Sequence, residues 1–400
     1  MQYICAYSMF ERNLYKALKG HLAERPATVI TGMRRVGKST LLKQLLDKVP
    51  GKNKIYLDLE RIENRQIFKQ SSNREMELFL ETMGVDVTKK CTIALDEIQL
   101  LPETVSVMKY WYDTYRTKFI VTGSSSFYLK NRFSESLAGR KQIFELAPLS
   151  FDEFLRFKGI EVDKKFSFHS YLEGYYNQHK SHYNEFMRFG GFPEVTLLGK
   201  SGSKKAMLQD ILNAYIDMDV KILSDYSLND ELYKLIRLLS ARVGSKMDAS
   251  KLASVAGINR NKIANYLNLF EQTYFLTKLT PFSNNADKEI SQQPKYYFSD
   301  SGLLNLIEEQ ETGRIFENTV INQFMRLDKS INYYQKKSGQ EIDLIWKENC
   351  AAEIKTTATQ SDATSLASRA KSLGLKKQIL VGLHPAGNNF KNFVWGGNLF

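Results

Sequence analysis

The stretch "ATVITGMRRVGKSTLLKQLL", residues 27–46, restricts this chain more than any other part of it. It reads as a β-branched strand, a glycine-bounded loop and an amphipathic helix with Leu41, Leu42, Leu45 and Leu46 on one face. Gly32 and Gly37 bracket four residues and are followed by Lys38 and Ser39, the full spacing of a phosphate-binding loop. Glycines let backbone N–H groups curl around a β-phosphate, and the helix N-terminus adds a favourable dipole. Lys38 reaches the β- and γ-phosphates, and the Ser39 hydroxyl ligates Mg²⁺. The expected nucleotide contacts are Gly32, Arg34, Arg35, Val36, Gly37, Lys38, Ser39 and Thr40, and the expected ligands are ATP and Mg²⁺.

A loop of this kind needs a second acidic strand. "CTIALDEIQ" supplies one about sixty residues later, an apolar run whose C-terminal tip carries Asp96 and Glu97. Asp96 is expected to hold Mg²⁺ through water, and Glu97 to polarise the water that attacks the γ-phosphate. "KFIVTGSSS" is a further apolar strand, so Thr122 or Ser124 stands either as a γ-phosphate sensor or as a loop-capping hydroxyl. Arg140, in "LAGRKQIF", is either a surface arginine or one that stabilises transition-state charge, in cis or from a neighbouring copy in a homo-oligomer.

In this order, "GMRRVGKST", "IALDEIQ", "TGSSS", "LAGR" and "LAPLSFDEF" resemble the prokaryotic ATPases of the AAA+ superfamily that carry a C-terminal domain of unknown function, DUF4143. "RFGGFPEV", "KYYFSDSGL" and "GRIFENTVINQF" extend the likeness over nearly the whole chain. The resemblance implies an additional-strand P-loop core, Glu97 as catalytic glutamate and Arg140 as a candidate arginine finger.

Four hundred residues exceed one ordinary domain. The expected architecture is α/β: a P-loop ATPase domain with a parallel sheet over 1–160, a helical connecting region over 161–235, a winged helix-turn-helix over 236–290 and a nuclease-like domain over 291–400. In the third segment, "MDASKLASVAGINRNKIANYLNLFEQTYFLTKLTPF" reads as helix, turn at Gly257–Asn259, longer helix with Ile263, Tyr266, Leu267 and Phe270 inward, then strand. Residues 236–285 hold seven Lys/Arg against two Asp/Glu, and Arg260, Asn261 and Lys262 open the second helix. Double-stranded DNA is the partner such a face would take, through 245–280, although winged helices also serve as spacers or protein contacts. The whole-chain balance of 56 Lys+Arg to 44 Asp+Glu points the same way.

In the last segment the order of a helix with Glu317, strands "NYYQKKSGQEIDLIW" and "CAAEIKTT", a helix and the strand "QILVGL" resembles the PD-(D/E)xK nuclease fold. Alternate strand residues share a face, so Glu353 and Lys355 project together. Asp343 and Glu353 are expected to hold Mg²⁺ against a scissile phosphate while Lys355 orients the water. A half-exposed strand shows the same alternation, so an inactive scaffold stays open, and with it a nucleotide-gated switch read by a protein partner. No run approaches the roughly 20 apolar residues of a membrane span, and a cytoplasmic location is expected. Cys5, Cys91 and Cys350 are expected as buried reduced thiols, "FGGFPEV" as a structural turn, and His179 and His182 in an exposed helix with no role.

Overall fold

The computed structural model describes residues 10–124, 137–163, 168, 171–220, 229–282, 292–336, 339–386 and 392–399. The chain divides into two compact units, 1–147 with Gln272–Tyr274, and 148–271 with 275–400.

The first unit is built on five parallel strands: β1 (Ala27–Thr31), β2 (Lys54–Asp58), β3 (Thr92–Asp96), β4 (Lys118–Gly123) and β5 (Lys141–Glu145), in the order β2-β3-β4-β1-β5. Parallel neighbours need crossovers, and helices Lys38–Lys48, Asn73–Thr82 and Thr104–Tyr115 lie in the connections after β1, β2 and β3. Every residue of β1 and β3 is buried, which is why both read as unbroken apolar runs. β5, at the edge, has no fully buried residue, and Gln142, Ile143 and Glu145 are exposed. Leu57, Ile93, Leu95, Trp111, Phe119 and Val121 form the core on one side of this sheet. β4 is inserted between β1 and β3, so the tips of all three strands open on one crevice.

Among the described residues the second unit contains seven strands: β6 (Leu276–Pro281), β7 (Lys295–Phe298), β8 (Ile331–Gln335), β9 (Glu341–Trp346), β10 (Cys350–Lys355), β11 (Lys377–Gly382) and β12 (Phe393–Trp395). Their order is β12-β11-β10-β9-β8-β6-β7. The three segments expected over 161–400 therefore form one unit. The antiparallel pair β6–β7 joins the C-terminal strands through the parallel contact of β6 with β8, making one continuous sheet. The first boundary also moves, from 160 to 147. Helix Phe151–Phe157, started by a capping box on Ser150 and Glu153, packs Phe151 and Phe154 against Tyr183, Phe186 and Trp395 of the second unit's own core.

Helices Asn229–Ala241, Ala249–Ala256 and Arg260–Gln272 precede β6. Asp248 caps the second by accepting from the amides of Ser250 and Lys251, and Gly257 ends it at φ 71°. Ile263, Tyr266, Leu267 and Phe270 are buried, the spacing read from the sequence. Cys91 and Cys350 are buried free thiols, while Cys5 lies outside the described residues. His179 corrects its expectation: it is only 3% exposed, with its ring against Tyr175 and burial lowering its pKa. The polar sequence around it hid a single inward stripe of helix Glu173–Phe189. Among the described residues no helix is long and apolar enough to cross a membrane.

Candidate functional site

The loop after β1 has the backbone its sequence demands. Gly32 turns at φ 150°, and a Cβ there would stand 2.1 Å from the Leu146 carbonyl oxygen. Arg35 and Gly37 are left-handed at φ 67° and 95°, and Gly37 caps helix Lys38–Lys48. Lys38 is buried, and its ammonium donates to the carbonyls of Gly32 (3.0 Å) and Met33 (3.1 Å). Arg34 leans out toward Glu60 at 3.4 Å, and Val36 packs inward. Ser39 and Thr40, half-buried, open the helix.

Opposite the loop, Asp96 ends β3 and is buried. Its Oδ2 accepts from the Tyr56 hydroxyl at 2.7 Å and its Oδ1 from the Thr122 hydroxyl. Burial and then this carboxylate push the Tyr56 pKa well up, so Tyr56 is a fixed donor. The next residue, Glu97, has a left-handed backbone (φ 57°), uncommon for a non-glycine. Its amide donates to Thr122 Oγ1 at 3.0 Å, and one carboxylate oxygen lies 4.0 Å from Lys38 Nζ. The other accepts from Gln99 Nε2, which also donates to Ser124 Oγ at 3.1 Å. Lys38, Asp96, Glu97 and Ser124 are thus brought together at the strand tips.

Arg140 is not. Its backbone carbonyl accepts from the amide of Ala27 at the start of β1, and its guanidinium clasps Asp113 at 2.8 and 3.1 Å. Five strand residues separate that end from the loop, about 16 Å at the usual rise. The guanidinium, held by Asp113, is engaged away from this loop.

Arg12, Tyr56 and Gln99 escaped the sequence reading. Arg12 is buried and donates to the carbonyls of Val36 and Ala147, both at 2.7 Å, tying the phosphate loop to the segment after β5. An arginine lying fifteen residues before the first strand gives no local signal of that use. Gln99 could have been suspected, since it follows the two acids in "LDEIQ".

In the second unit, β9 and β10 pair antiparallel with Ala352 opposite Leu344. One step further along that register Glu353 meets Asp343 on the same face. Asp343 Oδ2 accepts from the Ile354 amide at 2.8 Å, and Glu353 lies 3.0 Å from Lys355 and 3.4 Å from Arg369. Burial raises the pKa of Asp343, and burial with the Asp343 charge raises that of Glu353. For Lys355, burial alone would lower the pKa, yet Asp343 and Glu353 together raise it. Glu317, on helix Thr312–Leu327, accepts from the Tyr297 hydroxyl at 2.7 Å and is pushed up to about 7 by burial, with Lys295 opposing and Asp343 adding. The four residues read from the sequence are electrostatically linked. Among the described residues no three His, Cys, Asp or Glu side chains gather as a metal cage. An ion at Asp343 and Glu353 would be held by two carboxylates and complete its shell with water and substrate oxygens, as Mg²⁺ commonly does.

At the third expected site, Arg260 and Asn261 are exposed, while Lys262 is ion-paired with Glu231.

A model described as an AAA domain matches residues 24–155, and a domain of unknown function, DUF4143, matches 312–395. Between them, 180–313 matches another domain of unknown function, DUF8612. An uncharacterised protein of Methanocaldococcus jannaschii is 30% identical over 330 residues, covering 80% of this chain and 72% of that protein. The chain belongs to the AAA ATPases that carry a C-terminal DUF4143 domain. An uncharacterised protein of Haemophilus influenzae is 24% identical over 79% of this chain and 78% of its own length. The Walker-type ATPase of Pyrococcus abyssi has a TM-score of 0.49 and 17% identity, over 76% of this chain and 97% of that one. In this AAA ATPase the family's domain holds the whole cluster from Gly32 to Ser124, and its DUF4143 domain holds Glu317, Asp343, Glu353 and Lys355.

Proposed function

We propose that the protein binds and hydrolyses ATP at the crevice above β1, β3 and β4, and that the nucleotide cycle governs a DNA-associated second unit. One observation carries the hydrolytic part: Lys38 and Glu97 face each other at 4.0 Å, with Asp96 fixed beside them by Tyr56 and Thr122. A cation matched to the β- and γ-phosphates and a carboxylate matched to a water are what phosphoryl transfer requires. Lys38 exchanges its two carbonyl partners for phosphate oxygens, and the loop amides cradle the β-phosphate. Ser39, and Asp96 through water, would hold magnesium, which would supply charge neutralisation. Glu97 draws a proton from the attacking water as its oxygen bonds the γ-phosphorus; the bond from that phosphorus to the bridging oxygen breaks, leaving ADP and phosphate. Arg140 serves as an arginine finger toward a neighbouring copy.

Three helices followed by the antiparallel pair β6–β7, with the isolated bridge Lys246–Lys295, support the winged-helix reading of that segment. The shared face of Asp343, Glu353 and Lys355 supports a nuclease-like domain. A second reading has its own observation. Glu353 already lies between two cations and Asp343 already accepts an amide, so the domain also suits an inert scaffold in a nucleotide-gated switch.

The test is an ATPase assay with and without duplex DNA. Lys38→Ala should abolish binding or hydrolysis. Glu97→Gln should keep ATP binding and lose turnover by at least about 100-fold. Full activity in Lys38→Ala would overturn the hydrolytic reading, and an ATPase rate indifferent to DNA would favour the switch.

A further inference from the structure

Gln99, at the crevice, has no task in the ATP-hydrolysis reading. Gln99 sits two residues past Glu97, in the short turn Ile98–Leu100, and its Nε2 donates both to Glu97 and to Ser124 Oγ (3.1 Å). The carboxamide orientation follows from chemistry, since a carbonyl oxygen turned on the Glu97 carboxylate would set two acceptors against each other. Gln99 Oε1 is therefore the end of the carboxamide that is not bonded to Glu97. It is shielded from solvent, and no described residue donates to it. A buried acceptor without a donor is uncommon and calls for an explanation.

We propose that Gln99 is a positioning residue for ATP hydrolysis, holding the Glu97 carboxylate with its Nε2 while its Oε1 accepts a hydrogen bond from the attacking water. A water has two O–H bonds and needs a lone pair aimed at phosphorus. With one O–H on Glu97 and the other on Gln99 Oε1, that lone pair has one direction left. The left-handed backbone of Glu97 serves the same geometry, because it folds the chain back so that side chains 97 and 99 meet. Through Ser124, at the tip of β4, the carboxamide is also anchored to the strand between the acidic strand and the phosphate loop.

This inference rests on the hydrolytic reading, and the experiment separates the two. Gln99→Leu keeps the volume and removes both hydrogen-bonding functions. Expected is a fall in kcat of about 10-fold to 100-fold, with KM for ATP and the Kd of a non-hydrolysable ATP analogue changed by less than about threefold and Tm nearly constant. Single-turnover rates of Glu97→Gln and of the double variant supply the second readout. A residue acting through Glu97 adds little once Glu97 is already disabled, whereas a structural filler costs the same factor in both backgrounds. A kcat within about twofold of wild type, an equal fall in the Glu97→Gln background, or a parallel loss of kcat, analogue affinity and Tm would each overturn the role. Should Glu97→Gln itself turn over at the wild-type rate, the hydrolytic assignment of Glu97 fails, and the role of Gln99 with it.

Discussion

The Thr122 hydroxyl donates to Asp96 Oδ1 and accepts the amide of the residue after it, Glu97, at 3.0 Å. One buried hydroxyl on β4 thus fixes both acids at the tip of β3. Thr122→Val keeps the shape and strands two buried polar groups, a cost of about 1–3 kcal/mol apiece at most. Urea unfolding should show a loss in this range, and kcat should fall because Glu97 loses the anchor of its backbone. Unchanged stability and turnover would mean the acids are held by other means.

Arg12→Ala removes both donors from the Val36 and Ala147 carbonyls. The phosphate loop then loses its tie to the segment after β5, so the preformed cradle must be ordered when nucleotide binds. Thermal melts should show a lower Tm, and titration with a non-hydrolysable ATP analogue a weaker affinity by about tenfold, near 1.4 kcal/mol. An affinity equal to wild type would show that the loop holds its shape alone.

Asp300 joins two of the family-like sequence blocks, "RFGGFPEV" and "KYYFSDSGL". It accepts from Gly191 at 2.7 Å, from Gly302 at 2.9 Å and from Leu303 at 3.2 Å, and a Cβ at Gly190 would stand 2.0 Å from its carboxylate. Burial pushes its pKa up to about 6 against those donors and Arg326. A raised carboxyl binds protons more tightly folded than unfolded, so its contribution is full below about pH 4 and is lost as pH rises through 6. The stability difference between wild type and Asp300→Asn should therefore shrink by up to about 3 kcal/mol from pH 4 to pH 7. A pH-independent difference would show that Asp300 is charged throughout.

Duplex binding by the basic face should depend on Arg260 more than on Lys262, because Lys262 is already engaged by Glu231 while Arg260 is exposed. Arg260→Ala should weaken binding several-fold and flatten its salt dependence by about one ion. Equal effects of the two substitutions would mean that the Glu231 pair opens on DNA.

Incubation of wild-type protein with Mg²⁺ or Mn²⁺ and DNA or RNA tests the carboxylate pair. Cleavage that disappears in Asp343→Ala and in Glu353→Ala, with Tm retained, is the expected outcome of the nuclease reading. Intact nucleic acid beside an active ATPase would leave the inert scaffold.

Residues 27–46 determine the phosphate loop by themselves, because the glycine positions, the lysine and the strand-to-helix switch are all local requirements of one backbone path. "LDE" at the end of an apolar strand was legible for the same reason, and so were the inward positions of helix Arg260–Gln272, set by a 3.6-residue period. Glu353 and Lys355 could be placed on one face from the alternation of a strand alone.

Tertiary structure decided everything that joins distant parts. The insertion of β4 between β1 and β3 turned Thr122 and Ser124 from loop hydroxyls into neighbours of the acids. The register that pairs Ala352 with Leu344 brought Asp343 and Glu353 to the next positions along β9 and β10, and a slip of one would have sent Asp343 to the other face. Pairing of β6 with β8 joins in one sheet strands that the motifs assign to separate segments. Arg12 found its partners 24 and 135 residues away, and Arg140 was carried to the far end of its strand. Local sequence records which backbone a segment prefers. Which buried donor meets which acceptor is set by the packing of the whole unit.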